Sequence, residues 1–316
     1  MHELFESAGA PRDQGLDQGL AYRGAVRDGV ARAGVRSRSR RRFGLAPFAG
    51  GPVLGRGPGR ELIRHYTHLA ERAEGLALGA GLRLESVVEL MFREPGALGL
   101  SAAALAVAGG PTASPAVGRA LPVPSRGADR WLLRRSRPEV GFVSVEATLP
   151  WLVGAVGGLN EWGLAAALAP GDAPAVPSLL VQEVLQRFRD LPSALDWCAK
   201  RPGAGDGALL LADAAGGLAT VHFEGEGRSV GRSDRGVLVA GVGSPEAAEL
   251  CKQLEDALDR ADGDAAPPVG ACLSGAAPAA GRLVLAPAAG RVVLTDAAGA
   301  ATEVEVRPEG AGRDPA

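Results

Sequence analysis

The order of helical and strand-like segments constrains the fold most strongly. Helical apolar spacing dominates the first hundred residues, and strand and turn patterns follow from about residue 101. Two helical segments (residues 178–200), further strands, one helix near residues 244–264 and a final hairpin complete the chain. Because strands come in consecutive runs and do not alternate singly with helices, the order predicts an α+β fold, with antiparallel sheets covered by helices.

Composition excludes several functional classes. Of the 316 residues, 46% are hydrophobic and 22% are charged, and the net charge is −2, so no overall field attracts nucleic acid. Three cysteines without metal-ligand spacing indicate a reducing compartment, and no apolar run is long enough for a membrane helix. The N-terminus also lacks a leader pattern. We therefore expect a cytoplasmic protein with no metal, no cofactor and neither nucleic acid nor membrane as a partner.

Turn signals between apolar runs predict hairpins in the second half of the chain. The segment GLNEWGL (residues 158–164) separates two such runs, and LLADAAG (residues 210–216) begins a second hairpin. Asn160 is therefore interpreted first as a turn residue, with a role in a ligand site as the alternative. Residues 141–148 alternate apolar and polar side chains, which predicts a half-buried strand.

Glycines and caps organise the helical segments. Gly15 and Gly19 are four residues apart at the start of a helical pattern, and GLALGAG (residues 75–81) interrupts a later one. Residues 178–200 read as two helices broken near Pro192, where Asp190 is placed to cap the second helix.

The order of four motifs resembles the penicillin acyltransferase family of N-terminal-nucleophile hydrolases, the group around isopenicillin-N acyltransferase. The family's opening G-x-P-x-x-x-G-x-x-x-G pattern is matched at Gly9, Pro11, Gly15 and Gly19. The segment GLALGAG resembles the family's G-I-A-E-G-A-G, GLNEWGL resembles G-M-N-E-x-G-L, and LLADAAG resembles L-L-A-D-x-x-G. The resemblance extends from about residue 4 to residue 306.

This resemblance implies a four-layer αββα sandwich with an N-terminal helical segment. It divides the chain into a helical segment (1–100) comparable to a propeptide or α-chain, an αββα core (101–306) and a frayed tail (307–316), all within one compact domain. The strand at residues 101–107 is expected at the centre of its sheet. The family's precursor is cut before a cysteine, whose own α-amino group then serves as the base.

The residues at the implied nucleophile site depart from the family pattern. In the matching register, Ala102 stands where the family has its cysteine, and Ser101 is one residue away. The segment GRALP (residues 118–122) matches the family's G-R-N-x-D, which puts Ala120 at the asparagine and Pro122 at the aspartate. Loss of these groups together predicts a pseudoenzyme. The alternative is an active amide hydrolase or acyltransferase in which cleavage after Leu100 exposes Ser101 as the nucleophile.

A third hypothesis belongs to a different functional class. The former acyl site is expected to persist as an apolar cleft that binds a small apolar or acyl ligand without acting on it. Its candidate lining is Ser101, Arg119, Asn160 and Trp162. A scaffold or binding protein without a small-molecule ligand remains the other non-catalytic alternative, and the sequence leaves the oligomeric state open.

Overall fold

The computed structural model describes most of the chain in separate ranges. These are residues 4–34, 64–93, 104–108, 114–122, 131–170, 178–200, 207–224, 227–233, 236–240, 245–259, 265–275 and 279–307. Ser101 and Ala102 lie outside the described residues, as does the tail from residue 308 onwards.

Helices form in four regions of the described chain. They are α1 (Pro11–Ala21), α2 (Arg23–Arg32), α3 (Thr67–Ala80), α4 (Leu84–Arg93), α5 (Ser178–Arg187), α6 (Leu191–Lys200), α7 (Pro245–Leu258) and α8 (Ala266–Gly275). The predicted break near Pro192 is confirmed, because α5 ends before it and α6 begins at Leu191. The Asp190 carboxylate accepts a hydrogen bond from the backbone N–H of Ser193 (2.9 Å), as expected of a cap. Within the described residues, no helix is long and apolar enough to cross a membrane.

The strands form two sheets. In chain order they are β1 (Leu4–Gly9), β2 (Ala104–Ala108), β3 (Ala116–Pro122), β4 (Leu132–Pro138), β5 (Ser144–Thr148), β6 (Gly157–Asn160), β7 (Ala165–Pro170), β8 (Gly207–Ala212), β9 (Leu218–Glu224), β10 (Gly227–Ser233), β11 (Gly236–Ala240), β12 (Ala279–Ala286), β13 (Arg291–Asp296) and β14 (Ala301–Glu305). One sheet has the order β1-β4-β5-β6-β7-β8-β9-β10, and the other has the order β11-β2-β3-β12-β13-β14. The predicted hairpins β6–β7 and β8–β9 are confirmed as antiparallel pairs.

The two sheets pack face to face between two helical layers. Strands β3 and β7 meet across the sheet interface, as do β12 and β6. Helices α5 and α6 cover the outer face of the eight-stranded sheet, whereas α7 and α8 cover the outer face of the six-stranded sheet. The predicted α+β, four-layer αββα sandwich is therefore confirmed.

The N-terminal helices pack through small residues. A Cβ atom at Gly15 would lie less than 3.0 Å from the carbonyl oxygen of Arg72, and one at Gly75 would lie equally close to that of Arg12. Gly19 and Gly79 extend the same close approach between α1 and α3. The glycines singled out in the sequence thus let two helix backbones touch, which larger side chains would prevent.

Strands β1 and β2 do not lie where the sequence analysis predicted. Strand β1 lies within the segment that was predicted to be helical, and it pairs in parallel with β4 at the edge of the eight-stranded sheet. Strand β2 begins at Ala104 and lies second from one edge of its sheet, between β11 and β3, so its predicted central position is wrong. The division into three segments stays a prediction.

Candidate functional site

The most unusual polar group between the sheets is the guanidinium of Arg119. Side chains alternate along β3, so Val117 and Leu121 join the main core, while Ala116 and Ala120 pack in a second apolar cluster under the outer helices. Arg119 shares the face of Val117 and Leu121. Its guanidinium therefore enters the space between the two sheets, where it is completely buried.

Arg119 makes only part of its possible hydrogen bonds. Its Nη1 donates to the carbonyl oxygen of Val156 (3.2 Å) and to that of Leu168, which lies in the facing sheet. Its Nε and Nη2 atoms have no hydrogen-bond partner among the described residues. Burial lowers the pKa of Arg119 to about 9, because removing the charge from water disfavours the protonated form. The site therefore presents N–H donors and a buried positive charge.

The strand register places the start of β2 beside the backbone of Arg119. Ala104 is paired with Arg119 in the antiparallel β2–β3 ladder. Ser101 and Ala102, the two candidates for the nucleophile position, precede β2 and lie outside the described residues. The described part of the site therefore consists of Arg119, the carbonyls that it contacts and the beginning of β2.

Ala120 and Pro122 do not extend this site toward Arg119. Ala120 faces away from the sheet interface and packs in the cluster that contains Leu254 and Val269 of the outer helices. The carbonyl oxygen of Pro122, at the end of β3, accepts a hydrogen bond from Nε1 of Trp131 (2.9 Å). An asparagine side chain at position 120 would start on the face opposite to Arg119.

Asn160 is fully engaged in the β6–β7 turn. Its Nδ2 donates to the carbonyl oxygens of Leu185 (3.0 Å) and Phe188 (2.7 Å). Its Oδ1 accepts from the backbone N–H groups of Trp162 (3.1 Å) and Leu164 (3.0 Å). These four bonds use the donors and acceptors of the amide group, so the side chain ties the turn to the end of α5.

Asn160 also lies on the opposite side of its sheet from Arg119. A Cβ atom at Gly157 would meet Leu283 of the other sheet, whereas one at Gly158 would meet Leu185 of α5. Because side chains alternate along a strand, Asn160 shares the helix-facing side of Gly158. The structure therefore does not bring Asn160 to Arg119.

Trp162 lies at the surface beyond the same turn. Its side chain is 40% exposed, its ring meets that of Phe142 edge-on at 6.0 Å, and Cζ of Arg189 lies 4.1 Å from its ring centroid. It also borders an open groove of about 620 Å³ next to Gly290. The proposed common lining of Arg119, Asn160 and Trp162 is thus divided among the sheet interface, a turn and the surface.

A buried polar network was missed by the sequence analysis. Arg134 donates to Glu146 (3.0 Å), to Gln18 (3.0 Å) and to Gln182 (2.6 Å), and its remaining hydrogen bonds go to the carbonyls of residues 152–154. Arg134 and Glu146 are both completely buried. The available signal was the alternation of polar residues along β5, which is equally typical of a solvent-facing sheet surface.

Comparisons with known proteins give structural similarities only. No family model matches the sequence, and no curated protein matches it. The chain is similar to penicillin V acylase from Agrobacterium tumefaciens (16% identity, TM-score 0.47, covering 64% of this chain and 86% of that one). It is also similar to a mutant conjugated bile acid hydrolase from Clostridium perfringens (12% identity, TM-score 0.47, covering 65% of this chain and 92% of that one). A third similar structure is the Caenorhabditis elegans ortholog of N-acylethanolamine-hydrolyzing acid amidase (11% identity, TM-score 0.45, covering 59% of this chain and 93% of that one).

Proposed function

We propose that this chain is a non-catalytic homologue of the N-terminal-nucleophile amide hydrolases and acyltransferases that binds an apolar acyl ligand. Arg119 holds the carbonyl or carboxylate oxygen of that ligand between the two sheets. The observation that carries this proposal is a completely buried guanidinium whose Nε and Nη2 lack partners among the described residues. A ligand oxygen would accept these donors and, when charged, would balance the buried cation.

The residues at the family's catalytic positions support binding rather than catalysis. In the register of the penicillin acyltransferase family, Ala102 replaces the cysteine, Ala120 the asparagine and Pro122 the aspartate. None of these three side chains carries a group that can attack a carbonyl or transfer a proton. Pro122 also has no backbone N–H, so it offers no donor to an oxyanion.

The buried charge itself favours a binding role. An arginine whose charge is not balanced in the core lowers stability relative to an apolar side chain of similar length. Such a cost is typical of functional positions, where selection retains a destabilising group for the ligand it contacts. The apolar neighbours Val117 and Leu121 suit the hydrocarbon part of an acyl ligand.

The purified protein is expected to remain one chain of 32.1 kDa. Autoproteolysis at the start of the core would need an activated nucleophile, for which Ser101 is the candidate. Intact-mass spectrometry after prolonged incubation provides the measurement. Two fragments that meet between Leu100 and Ser101, together with amide hydrolysis that Ser101→Ala abolishes, would replace the binding proposal with the active serine enzyme.

Replacing Arg119 by methionine is expected to stabilise the protein and to remove ligand binding. Loss of the unbalanced buried charge should raise the free energy of unfolding by about 1–4 kcal/mol. Affinity for dodecanoate, a probe with an acyl chain and a carboxylate, should fall at least about tenfold. Urea unfolding measures the first effect, and isothermal titration calorimetry measures the second.

Arg282→Met is the matched control for this variant. Arg282 lies in β12 of the same sheet, and its guanidinium donates to the carbonyl oxygen of Gly270 in the outer helical layer (3.3 Å). Its replacement should leave dodecanoate binding unchanged. If the wild type does not bind dodecanoate, or if Arg119→Met binds it as tightly as the wild type does, the acyl-ligand proposal is wrong.

A further inference from the structure

The buried polar network around Arg134 and Glu146 forms part of a polar cluster beneath the N-terminal helices. This cluster contains more positive than negative charge. Three of its side chains are completely or almost completely buried and ionisable: Arg72 of α3, Arg134 of β4 and Glu146 of β5. The hydroxyl of Ser136 connects Arg72 to Glu146, because it lies within hydrogen-bond distance of both side chains. The cluster therefore contains two buried guanidinium groups and one buried carboxylate.

Both carboxylate oxygens of Glu146 accept hydrogen bonds from neighbouring side chains. Its Oε2 accepts hydrogen bonds from Arg134 (3.0 Å) and Ser136 (3.1 Å), and its Oε1 accepts from Ser144 (2.5 Å) and Gln182 (2.8 Å). Every nitrogen of the Arg134 guanidinium also has an acceptor. The ion pair between Arg134 and Glu146 is thus complete without Arg72.

Arg72, in contrast, is incompletely paired. Its Nη2 lies at hydrogen-bond distance from the hydroxyl oxygens of Ser7 (3.4 Å) and Ser136 (3.3 Å). Its Nε and Nη1 have no hydrogen-bond partner among the described residues. Burial and the charge of Arg134 lower the pKa of Arg72, whereas the charge of Glu146 raises it by less. The side chain is 1% exposed, so bulk water does not solvate these groups.

We propose that Arg72, Ser7 and Ser136 form an internal binding site for a small monovalent anion of the halide class, with chloride as the expected occupant. An unpaired N–H group of Arg72, at Nε or at Nη1, donates to the ion, and the two serine hydroxyl oxygens lie beside Nη2 of the same guanidinium. A single negative charge brings the cluster of two arginines and one glutamate to neutrality. Complete burial of the three side chains favours a small ion over an organic one.

The bound anion would join a helix to the eight-stranded sheet. Arg72 comes from α3, whereas Ser7 and Ser136 are paired residues of the neighbouring strands β1 and β4 in that sheet. An ion that binds only the folded arrangement stabilises it by mass action. This site lies apart from Arg119, so its existence does not depend on the function proposed above.

The test uses the complete wild-type chain at constant ionic strength. Stepwise replacement of 0.1 M sodium gluconate by sodium chloride is expected to raise the thermal midpoint by about 2–4 °C. Arg72→Met should lose this rise because it removes the donors and the excess charge. Arg135→Met, on the neighbouring and partly exposed position of β4, should retain it.

Crystals grown in sodium bromide provide a second measurement that does not depend on a variant. An anomalous peak at hydrogen-bond distance from Nε or Nη1 of Arg72 is expected. This experiment decides the question even if Arg72→Met does not fold. A site that holds only water in bromide, a wild type with no halide-dependent rise, or a rise that persists in Arg72→Met would each overturn the proposal.

Discussion

Replacing Gly75 by alanine is expected to lower the free energy of unfolding by about 3 kcal/mol or more. The added Cβ atom would overlap the backbone carbonyl of Arg12, so α1 and α3 would have to separate along their whole line of contact. Alanine is thus expected to destabilise the protein at this position, whereas in an open helix alanine is favoured over glycine by about 1 kcal/mol. Urea unfolding followed by far-ultraviolet circular dichroism measures the change.

Gly24→Ala is the matched control for this substitution. Gly24 also lies in an N-terminal helix, but a Cβ atom there would meet nothing within 4 Å. This variant should be as stable as the wild type or slightly more stable, since only helix propensity changes. Equal stabilities of Gly75→Ala and Gly24→Ala would show that the close helix crossing is wrong.

Replacing Arg134 by methionine is expected to cost about 3–5 kcal/mol, because it leaves the Glu146 carboxylate buried without its direct cationic partner. The substitution also removes the donors for Gln18, for Gln182 and for the carbonyls of residues 152–154. The loss should appear as a lower midpoint of urea unfolding, with secondary structure retained below the transition.

A double variant separates the cost of the unpaired charge from the cost of lost packing. Arg134→Met combined with Glu146→Leu removes both charges and should recover part of the stability lost in the single variant. Arg135→Met tests the adjacent arginine, which forms a partly exposed ion pair with Glu6 (2.9 Å) and should cost no more than about 1 kcal/mol. A single Arg134→Met variant as stable as Arg135→Met would contradict the buried network.

Local signals predicted the elements well. The turn chemistry around Asn160 and Asp213 correctly predicted two hairpins, and Asp190 correctly marked the start of α6. These features depend on residues that are close in sequence, where a side-chain oxygen meets a backbone N–H a few positions away. The order of the elements then sufficed to predict a layered α+β fold, because antiparallel sheets must bury one face against helices or a second sheet.

Pairings between distant segments could not be predicted in the same way. The spacing of Gly15 and Gly19 was visible in the sequence, but their contact with α3 joins helices about sixty residues apart. Strand β1 is a short edge strand whose parallel partner, β4, lies more than a hundred residues later. Neither pairing leaves a periodic signal in its own segment, since the partner alone determines it.

The sequence by itself determined which residues share a face of each strand, through the alternation of side chains. It separated Ser144, Glu146 and Thr148 from Val145 and Ala147 on β5. Only the tertiary structure decided what covers each face. Helices α1 and α5 bring Gln18 and Gln182 over the polar face of β5, which makes it an interior network and not a solvent-facing surface. In the same way, long-range packing places Arg119 between the sheets and Asn160 under a helix. Alternation assigns a side chain to one face of its strand, but the element that covers this face comes from a distant part of the chain.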